Sequence, residues 1–441
     1  MSRLSPGLGA RCSVVLAATV ILASTACSSR SAPAADSGVR HDAGLDHDHD
    51  AGRDAGVDAG LAADSGRPDA GSPMDAGKDS GPADAGTPDS GAAADSGNAK
   101  PDAGDPTPDA GVLRDWPAHA SARVMLSGHS LTDNPIADFV ELLATQHTRS
   151  YGWEQQIVIG SPLRYRTRGE DSSSSGWSGY ALGKNHDGNG KNILDELAEP
   201  TEIGASERYD TLVVTERHDI LASIRGEDTV PYLRHFHDRL REQKSDARTL
   251  FYQSWPDIDG EPQQWIDYQA KELVAWECAA SKVNLSLERD GAPAAVSVIP
   301  VAVALAELLE RILAGAVPGL SGIEALFTDD VHPTRLGSYL AAAATYSAVF
   351  GTTPVGAPVP ENVNPTAAKL ALEVAWEVVS NYNRKGATDP SRRSMEDCRT
   401  QLTSFCPDYL AIRGLSADCS VWQSADGPMG WPDTSFPLPA P

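Results

Sequence analysis

Ser130 follows Gly128 and His129 at the end of a short apolar run, and Asp329 stands three residues before His332, which is followed by Pro333. A serine at a glycine-containing turn between a strand and a helix is well placed as a nucleophile. The helix amino terminus beside it favours developing negative charge, and its backbone N–H groups are free to donate. An Asp three residues before a His lets one loop set a carboxylate against an imidazole. The carboxylate fixes the tautomer and stabilises the imidazolium, while the other ring nitrogen faces the serine. Each feature alone has a plainer reading, since Ser, Thr and Asp all favour helix starts and Asp-x-x-His occurs in surface loops. Combined, and in the order Ser, Asp, His, they predict acyl transfer with Ser130, Asp329 and His332 as the catalytic residues. The elbow Gly-x-Ser-x-Gly is not met, because Thr132 sits where its second Gly should be.

Residues so far apart in sequence need converging elements to meet, and the hydrophobic pattern from about residue 122 supplies them. Residues 123–126, 156–159, 211–214, 249–252 and 295–300 read as strands. Residues 136–146, 232–243, 265–285, 302–314 and 365–382 read as helices. Strands and helices alternating at this spacing predict βαβ units and a parallel sheet covered on both faces. The expected fold class is α/β, a three-layer α/β/α sandwich with a parallel, flavodoxin-like sheet. Ligand sites in such sheets lie beyond the carboxyl ends of the strands, and Ser130 falls just past the end of the first one.

Gly128-His129-Ser130-Leu131 and Asp329-Asp330-Val331-His332-Pro333 together resemble the first and last blocks of the SGNH (GDSL-like) hydrolase superfamily, over about residues 123–350. His129 replaces the usual Asp of the first block, and the last block matches throughout. The resemblance implies the SGNH hydrolase fold and an esterase that needs no cofactor. It makes Ser130 the nucleophile, His332 the general base and acid, and Asp329 the orienting partner. It also implies an oxyanion hole formed by the Ser130 and Gly160 backbone N–H groups, Gly160 lying just after the second strand. The family places an Asn in a Gly-x-Asn-Asp turn after the third strand. Here that strand runs into Val214-Thr215-Glu216-Arg217-His218-Asp219, which holds no Asn, so Thr215, Arg217 or backbone amides alone are left as third donor. Exported, tethered members of the family often act on acylated polysaccharides. An acetylated carbohydrate is therefore the leading substrate expectation, and a lipid or short-chain ester the alternative. The absent Asn also admits a rival from another class, a non-catalytic surface module that retains the fold and binds carbohydrate.

Other residue sets bear on binding. Asn185, Asp187, Asn189, Gly190 and Glu196 fall at the first, third, fifth, sixth and twelfth positions of an EF-hand-type calcium loop. Asn in place of Asp at the first position and Ile193 one place late favour a flexible polar loop instead. Asp46, Asp48 and Asp50 alternate, but no Glu closes a loop there, and a solvated spacer is the expectation. Trp153, Trp177 and Trp255 fall near predicted strand ends, where flat rings could stack on sugar faces or pack at the rim. His235-Phe236-His237 reads as an exposed helical face.

The ends set the compartment. Arg3 and Arg11 precede an apolar run over residues 14–23 that is too short to span a bilayer. Ser24-Thr25-Ala26-Cys27 resembles the lipobox of bacterial lipoproteins, in which Cys27 becomes the acylated first residue; an ordinary secretory peptide is the other reading. Residues 28–115 are built on Asp-Ala-Gly, Asp-Ser-Gly and Pro-Asp units with almost no large apolar side chains. Such a segment cannot offset the entropy of ordering and is expected to be a disordered tether. The organisation is thus a signal peptide (1–27), the tether (28–115), a hydrolase domain (116–384) and a cysteine-containing extension (385–441). The expected setting is the cell envelope, the chain anchored to a membrane by lipid. The net charge of −25, from 36 basic and 61 acidic residues, argues against a nucleic-acid partner. Cys278, Cys398, Cys406 and Cys419 are even in number and outside the export segment, so one or two disulfides are expected, in a pairing the spacing leaves open.

Overall fold

Strands whose side chains all enter a core must be covered twice, and the central strands of this chain carry buried side chains on both faces. In the computed structural model, which describes residues 118–170, 176–258, 261–384, 390–424 and 427–429, they form one sheet. The expected export segment with Cys27, the tether and the last residues of the extension lie outside the described residues. The elements in order are β1 (Ser121–Gly128), α1 (Ile136–Gln146), β2 (Ser150–Ile157), α2 (Leu163–Thr167), α3 (Ile193–Ala198) and β3 (Thr211–Thr215). Next come α4 (Ile220–Gly226), α5 (Thr229–Gln243), β4 (Arg248–Tyr252), α6 (Pro262–Arg289) and β5 (Val296–Ile299). The chain continues with α7 (Val301–Leu313), α8 (Arg335–Phe350), α9 (Pro365–Arg384) and α10 (Met395–Ile412).

The five strands pair in the order β2-β1-β3-β4-β5, parallel throughout. Val124, Leu126, Val213, Leu250, Tyr252 and Ile299 pack to one side, against α1, α7, α8 and α9. Met125, Leu212, Val214, Phe251, Val296 and Val298 pack to the other, against α3, α4, α5, α6 and α10. This alternation at period two gives three layers with the sheet in the middle. Two disulfides are present, Cys278–Cys398 and Cys406–Cys419. Among the described residues no helix is long and apolar enough to cross a membrane.

Three expectations need correction. The second strand ends at Ile157 and begins at Ser150, well before residue 156. Its polar stretch Glu154-Gln155-Gln156 is buried, with the Glu154 carboxylate and the Gln156 amide both hydrogen-bonded. Gln156 accepts from Ser127 Oγ and donates to the carbonyls of Arg166, Gly179 and Leu182. The His235-Phe236-His237 stretch is no exposed face: His237 is fully buried and His235 stacks on Trp177. The extension carries a long helix, α10, which the composition of the tail did not suggest.

Candidate functional site

The turn that carries Ser130 is fixed from below. Thr132 Oγ1 accepts the His129 N–H (3.1 Å) and donates to the His129 carbonyl (3.0 Å), closing a tight turn over residues 129–132. A Cβ at Gly128 would collide with that Thr132 side chain, so the strand can enter this turn only with glycine there. His129 is buried, with its Nε2 3.0 Å from the Glu216 carbonyl and its Nδ1 3.4 Å from the Leu131 N–H. These partners assign the ring proton to Nε2. Burial first, and then the Arg166 charge, pull the His129 imidazole down to about 3, so it is neutral. Ser130 itself is half-buried, and its hydroxyl forms no hydrogen bond among the described residues.

The Gly160 turn leaves the sheet beside this one. Gly128 is in register with Ile157, and the Val158 N–H donates to the Gly128 carbonyl at 3.0 Å. Gly160 has φ +67°, the left-handed region where glycine carries no steric penalty. Its N–H finds no acceptor among the described residues, nor does that of Ser130. Next to it, Ile159 is 64% exposed.

A buried guanidinium joins the turns. Arg166 Nε donates to Ser127 Oγ (3.1 Å), and Nη1 to the Ser161 carbonyl (2.7 Å) and hydroxyl (3.0 Å). Its Nη2 donates to the Thr215 carbonyl at the end of β3. Burial lowers Arg166 to about 10, opposed by Glu216, which leaves it charged at neutral pH. Burial also raises the Glu216 carboxyl, against the pull of Arg166 and of its donors. Those donors are the Leu163 N–H (3.0 Å), the Arg217 N–H (2.8 Å) and Thr229 Oγ1 (2.9 Å).

The Asp329–His332 loop docks on the same edge. Asp329 Oδ1 accepts the N–H groups of Val331 (2.9 Å) and His332 (2.6 Å), and Oδ2 lies 2.7 Å from His332 Nδ1. Those two backbone donors, followed by the ring, hold the Asp329 carboxyl at about 2. Both side chains are open to solvent, 50% and 44% exposed. The loop is anchored by Trp255 Nε1 donating to the Val331 carbonyl (2.8 Å) and by the Ile258 N–H donating to the Asp330 carbonyl (2.6 Å). Phe327 and Pro333 bridge across its neck, and Thr334 caps α8 by accepting the Gly337 N–H. A Cβ on Gly337 would lie 2.6 Å from the Leu326 carbonyl, so the glycine lets α8 start hard against the loop. On the other side, Tyr252 at the end of β4 donates to the Leu131 carbonyl at 3.2 Å. Both the serine turn and the histidine loop are thus hydrogen-bonded to residues at or just past the carboxyl end of β4.

Several expected site residues serve elsewhere. Thr215 is fully buried, and its hydroxyl donates to the Tyr252 carbonyl (2.8 Å) and the Glu216 carbonyl (3.1 Å), which removes it as an oxyanion donor. The Arg217 guanidinium is held by Asp219 at 3.1 and 2.9 Å. The calcium spacing does not build a cation loop. Asn185 accepts the Asn189 N–H, while Glu196 accepts from Tyr209 (2.6 Å) and Thr201. Asp187 meets His186 at 3.1 Å. The Lys191 ammonium, between Glu154 (3.0 Å) and Glu196 (3.3 Å), already supplies the positive charge there. Trp255 is buried as the anchor of the histidine loop, and Trp177 is stacked by His235 at 3.5 Å with Arg168 over its ring. Trp153 donates to Glu141. Cavities of about 390 and 370 Å³ adjoin Arg225 of α4 and Val421, and neither is lined by Ser130 or His332. The chemistry-bearing groups, and not those volumes, mark the site.

No family model matches the chain, and no curated protein matches it. A crystal structure of a DUF4886 family protein from Bacteroides uniformis is similar at 16% identity, covering 61% of this chain and 98% of that one, with a TM-score of 0.41.

Proposed function

We propose that the protein is a serine esterase of SGNH hydrolase type that cleaves acyl esters through an acyl-enzyme intermediate. The observation that carries this reading is the clamp on His332. A carboxylate held at about 2 by two backbone N–H groups sits 2.7 Å from Nδ1, which leaves Nε2 as a base at the sheet edge where Ser130 lies. His332 Nε2 takes the Ser130 proton as Oγ attacks the ester carbonyl. The tetrahedral oxyanion is held by the N–H groups of Ser130 and Gly160. The C–O bond to the alcohol breaks, and the imidazolium returns its proton to the departing alkoxide. Water, activated by the same imidazole, releases the acyl group.

Two features bear on the substrate. Ile159 beside Gly160 offers a small apolar surface, suited to an acetyl or short acyl group. An exported, tethered chain would meet acylated carbohydrate at the cell envelope, which makes a sugar acetate the proposed natural ester. Cys27 is proposed to carry the lipid that holds it there, and residues 28–115 to be the spacer.

The test is hydrolysis of p-nitrophenyl esters from acetate to octanoate by the full chain beside Ser130→Ala. Rates highest on acetate and lost in the variant are expected. A folded wild type no faster than Ser130→Ala on every ester would remove the esterase reading and favour a carbohydrate-binding surface protein.

A further inference from the structure

Asp329 and His332 lie in the open, 50% and 44% exposed. Attraction between groups so wetted does not hold one geometry by itself, so something drier must set where the carboxylate points. The two N–H groups that bind Asp329 Oδ1 belong to consecutive peptide units. One unit carries the Asp330 carbonyl and the Val331 N–H, the next the Val331 carbonyl and the His332 N–H. A trans peptide aims its carbonyl and its N–H in opposite directions, so each unit that faces Asp329 turns its carbonyl away. Both carbonyls are taken by one short segment beyond β4. The Ile258 N–H donates to the Asp330 carbonyl (2.6 Å), and Trp255 Nε1 donates to the Val331 carbonyl (2.8 Å).

Two hydrogen-bonded chains therefore converge on one carboxylate oxygen. The first runs from the Trp255 indole through the Val331–His332 peptide to Asp329 Oδ1 at 2.6 Å, and from Oδ2 to His332 Nδ1 at 2.7 Å. The second runs from the Ile258 N–H through the Asp330–Val331 peptide to the same Oδ1 at 2.9 Å. A donor on a peptide carbonyl polarises the unit and makes its N–H the stronger donor in turn. The segment that starts both chains is itself held. Trp255 is fully buried, Pro256 has a fixed φ, and the Pro256 carbonyl accepts from Trp265 Nε1 at 2.9 Å. Phe327, at the neck of the histidine loop, meets the Trp255 and Trp265 rings edge-on at 6.4 and 5.3 Å. Ser254 Oγ, one residue earlier, donates to the Glu216 carbonyl (3.0 Å), which also binds His129 Nε2 (3.0 Å) beside Ser130.

We propose that Trp255 and Ile258 are the positioning residues of the Asp329–His332 pair, acting through the two peptide units that bind the carboxylate. This rests on the esterase reading. It extends that reading by giving a buried tryptophan control over a solvent-open base. Neither residue touches the ester, so losing either lowers kcat and spares KM.

The experiment is a double-mutant cycle on p-nitrophenyl acetate with full chains: wild type, Trp255→Phe, Asp329→Ala and the double variant. Ser130→Ala is the blank, and an unfolding midpoint is measured for each. Phe keeps an aromatic ring beside Phe327 and deletes the N–H. Trp255→Phe is expected to lose about 5–10-fold in kcat with KM little changed, the worth of one hydrogen bond. In Asp329→Ala both chains have lost their end, so adding Trp255→Phe is expected to cost less than about twofold more. Ile258→Pro deletes the other donor and leaves the indole in place, and it carries the same cycle should Trp255→Phe not fold. Wild-type kcat in the folded variant would overturn the proposal. So would an equal fold-loss with and without Asp329, because the segment would then act by packing alone. Either failure leaves an active esterase, whereas a wild type no faster than Ser130→Ala would remove the esterase reading and this role with it.

Discussion

The charge on Asp329 does not depend on the imidazole it serves. Its first stabilisation comes from the N–H groups of Val331 and His332, so the carboxylate is ionised before any substrate binds and stays so to about pH 2. What it adds to the proposed reaction is therefore the tautomer and orientation of the ring. Asp329→Asn keeps the size and the solvent-open setting of the side chain, 50% exposed, so the fold is expected to survive. The amide presents no full negative charge to the imidazolium, and its NH₂ end, turned toward Nδ1, would stabilise the wrong tautomer. A drop in kcat of about 10²–10⁴-fold on p-nitrophenyl acetate is expected, with KM nearly unchanged. Kinetics of the purified variant within threefold of wild type would mean that His332 is not the base. The same residue scale explains what the sequence made legible. Asp329 and His332 are three apart, so one loop conformation determines their contact. Arg166, by contrast, reaches from a short helix to the Thr215 carbonyl at the end of β3, a contact that only the fold creates. No local pattern separates such a buried arginine from a surface one.

Elements follow from the sequence where burial makes them apolar on both faces, as in β3, β4 and β5, and fail to where polar groups are buried in pairs. The part of β2 ahead of Gln156 is the case in point, since Glu154 and Gln155 look like loop residues until the partners of Glu154 are known. Helix α10 was obscured by Pro407 within it and by the Ser and Asp content around it. Helix α5 buries a titratable group in the same hidden way. His237 Nδ1 lies 2.8 Å from Thr249 Oγ1 on β4, and burial, aided by Arg241 and Arg234, lowers the imidazole to about 3. In the unfolded chain an imidazole titrates at about 6.5. Between these values the unfolded state binds a proton that the folded state refuses. The neutral ring therefore contributes its full share of stability above pH 6.5, and that share shrinks as the pH falls toward 3. Replacing it by Gln, which keeps a polar end near Thr249 and does not titrate, removes this pH dependence. Urea unfolding at pH 7, 6, 5 and 4.5 should show stability falling less steeply in His237→Gln than in wild type. The difference in slope is expected to approach about 1.4 kcal/mol per pH unit. Parallel slopes would mean that His237 is protonated in the folded protein.

At the scale of the whole molecule, the C-terminal extension belongs to the layer that supports the site. Helix α10 packs on α6, and Lys271 meets Asp408 across that contact at 2.8 Å. Arg393 reaches Glu277 and Asp397, and at the other end of the helix Arg413 approaches Asp257. The two disulfides bear on this docking unequally. Cys278–Cys398 closes a separation of 120 residues and joins α6 to α10, whereas Cys406–Cys419 closes 13 residues within the extension. A cross-link stabilises chiefly by restricting the unfolded chain, and the restriction grows with the logarithm of the loop it closes. The longer bridge is thereby worth about 5 kcal/mol and the shorter about 3. Thermal and urea unfolding of the double variants Cys278→Ala with Cys398→Ala, and Cys406→Ala with Cys419→Ala, measures this order directly. The first pair should be the more destabilised. It should also lose the proposed esterase activity at temperatures where the second pair retains it, because α10 then no longer holds Arg413 against Asp257. Equal losses, or a larger loss in the second pair, would mean that α10 keeps its place on α6 by side-chain packing, and that the long bridge follows the docking without enforcing it.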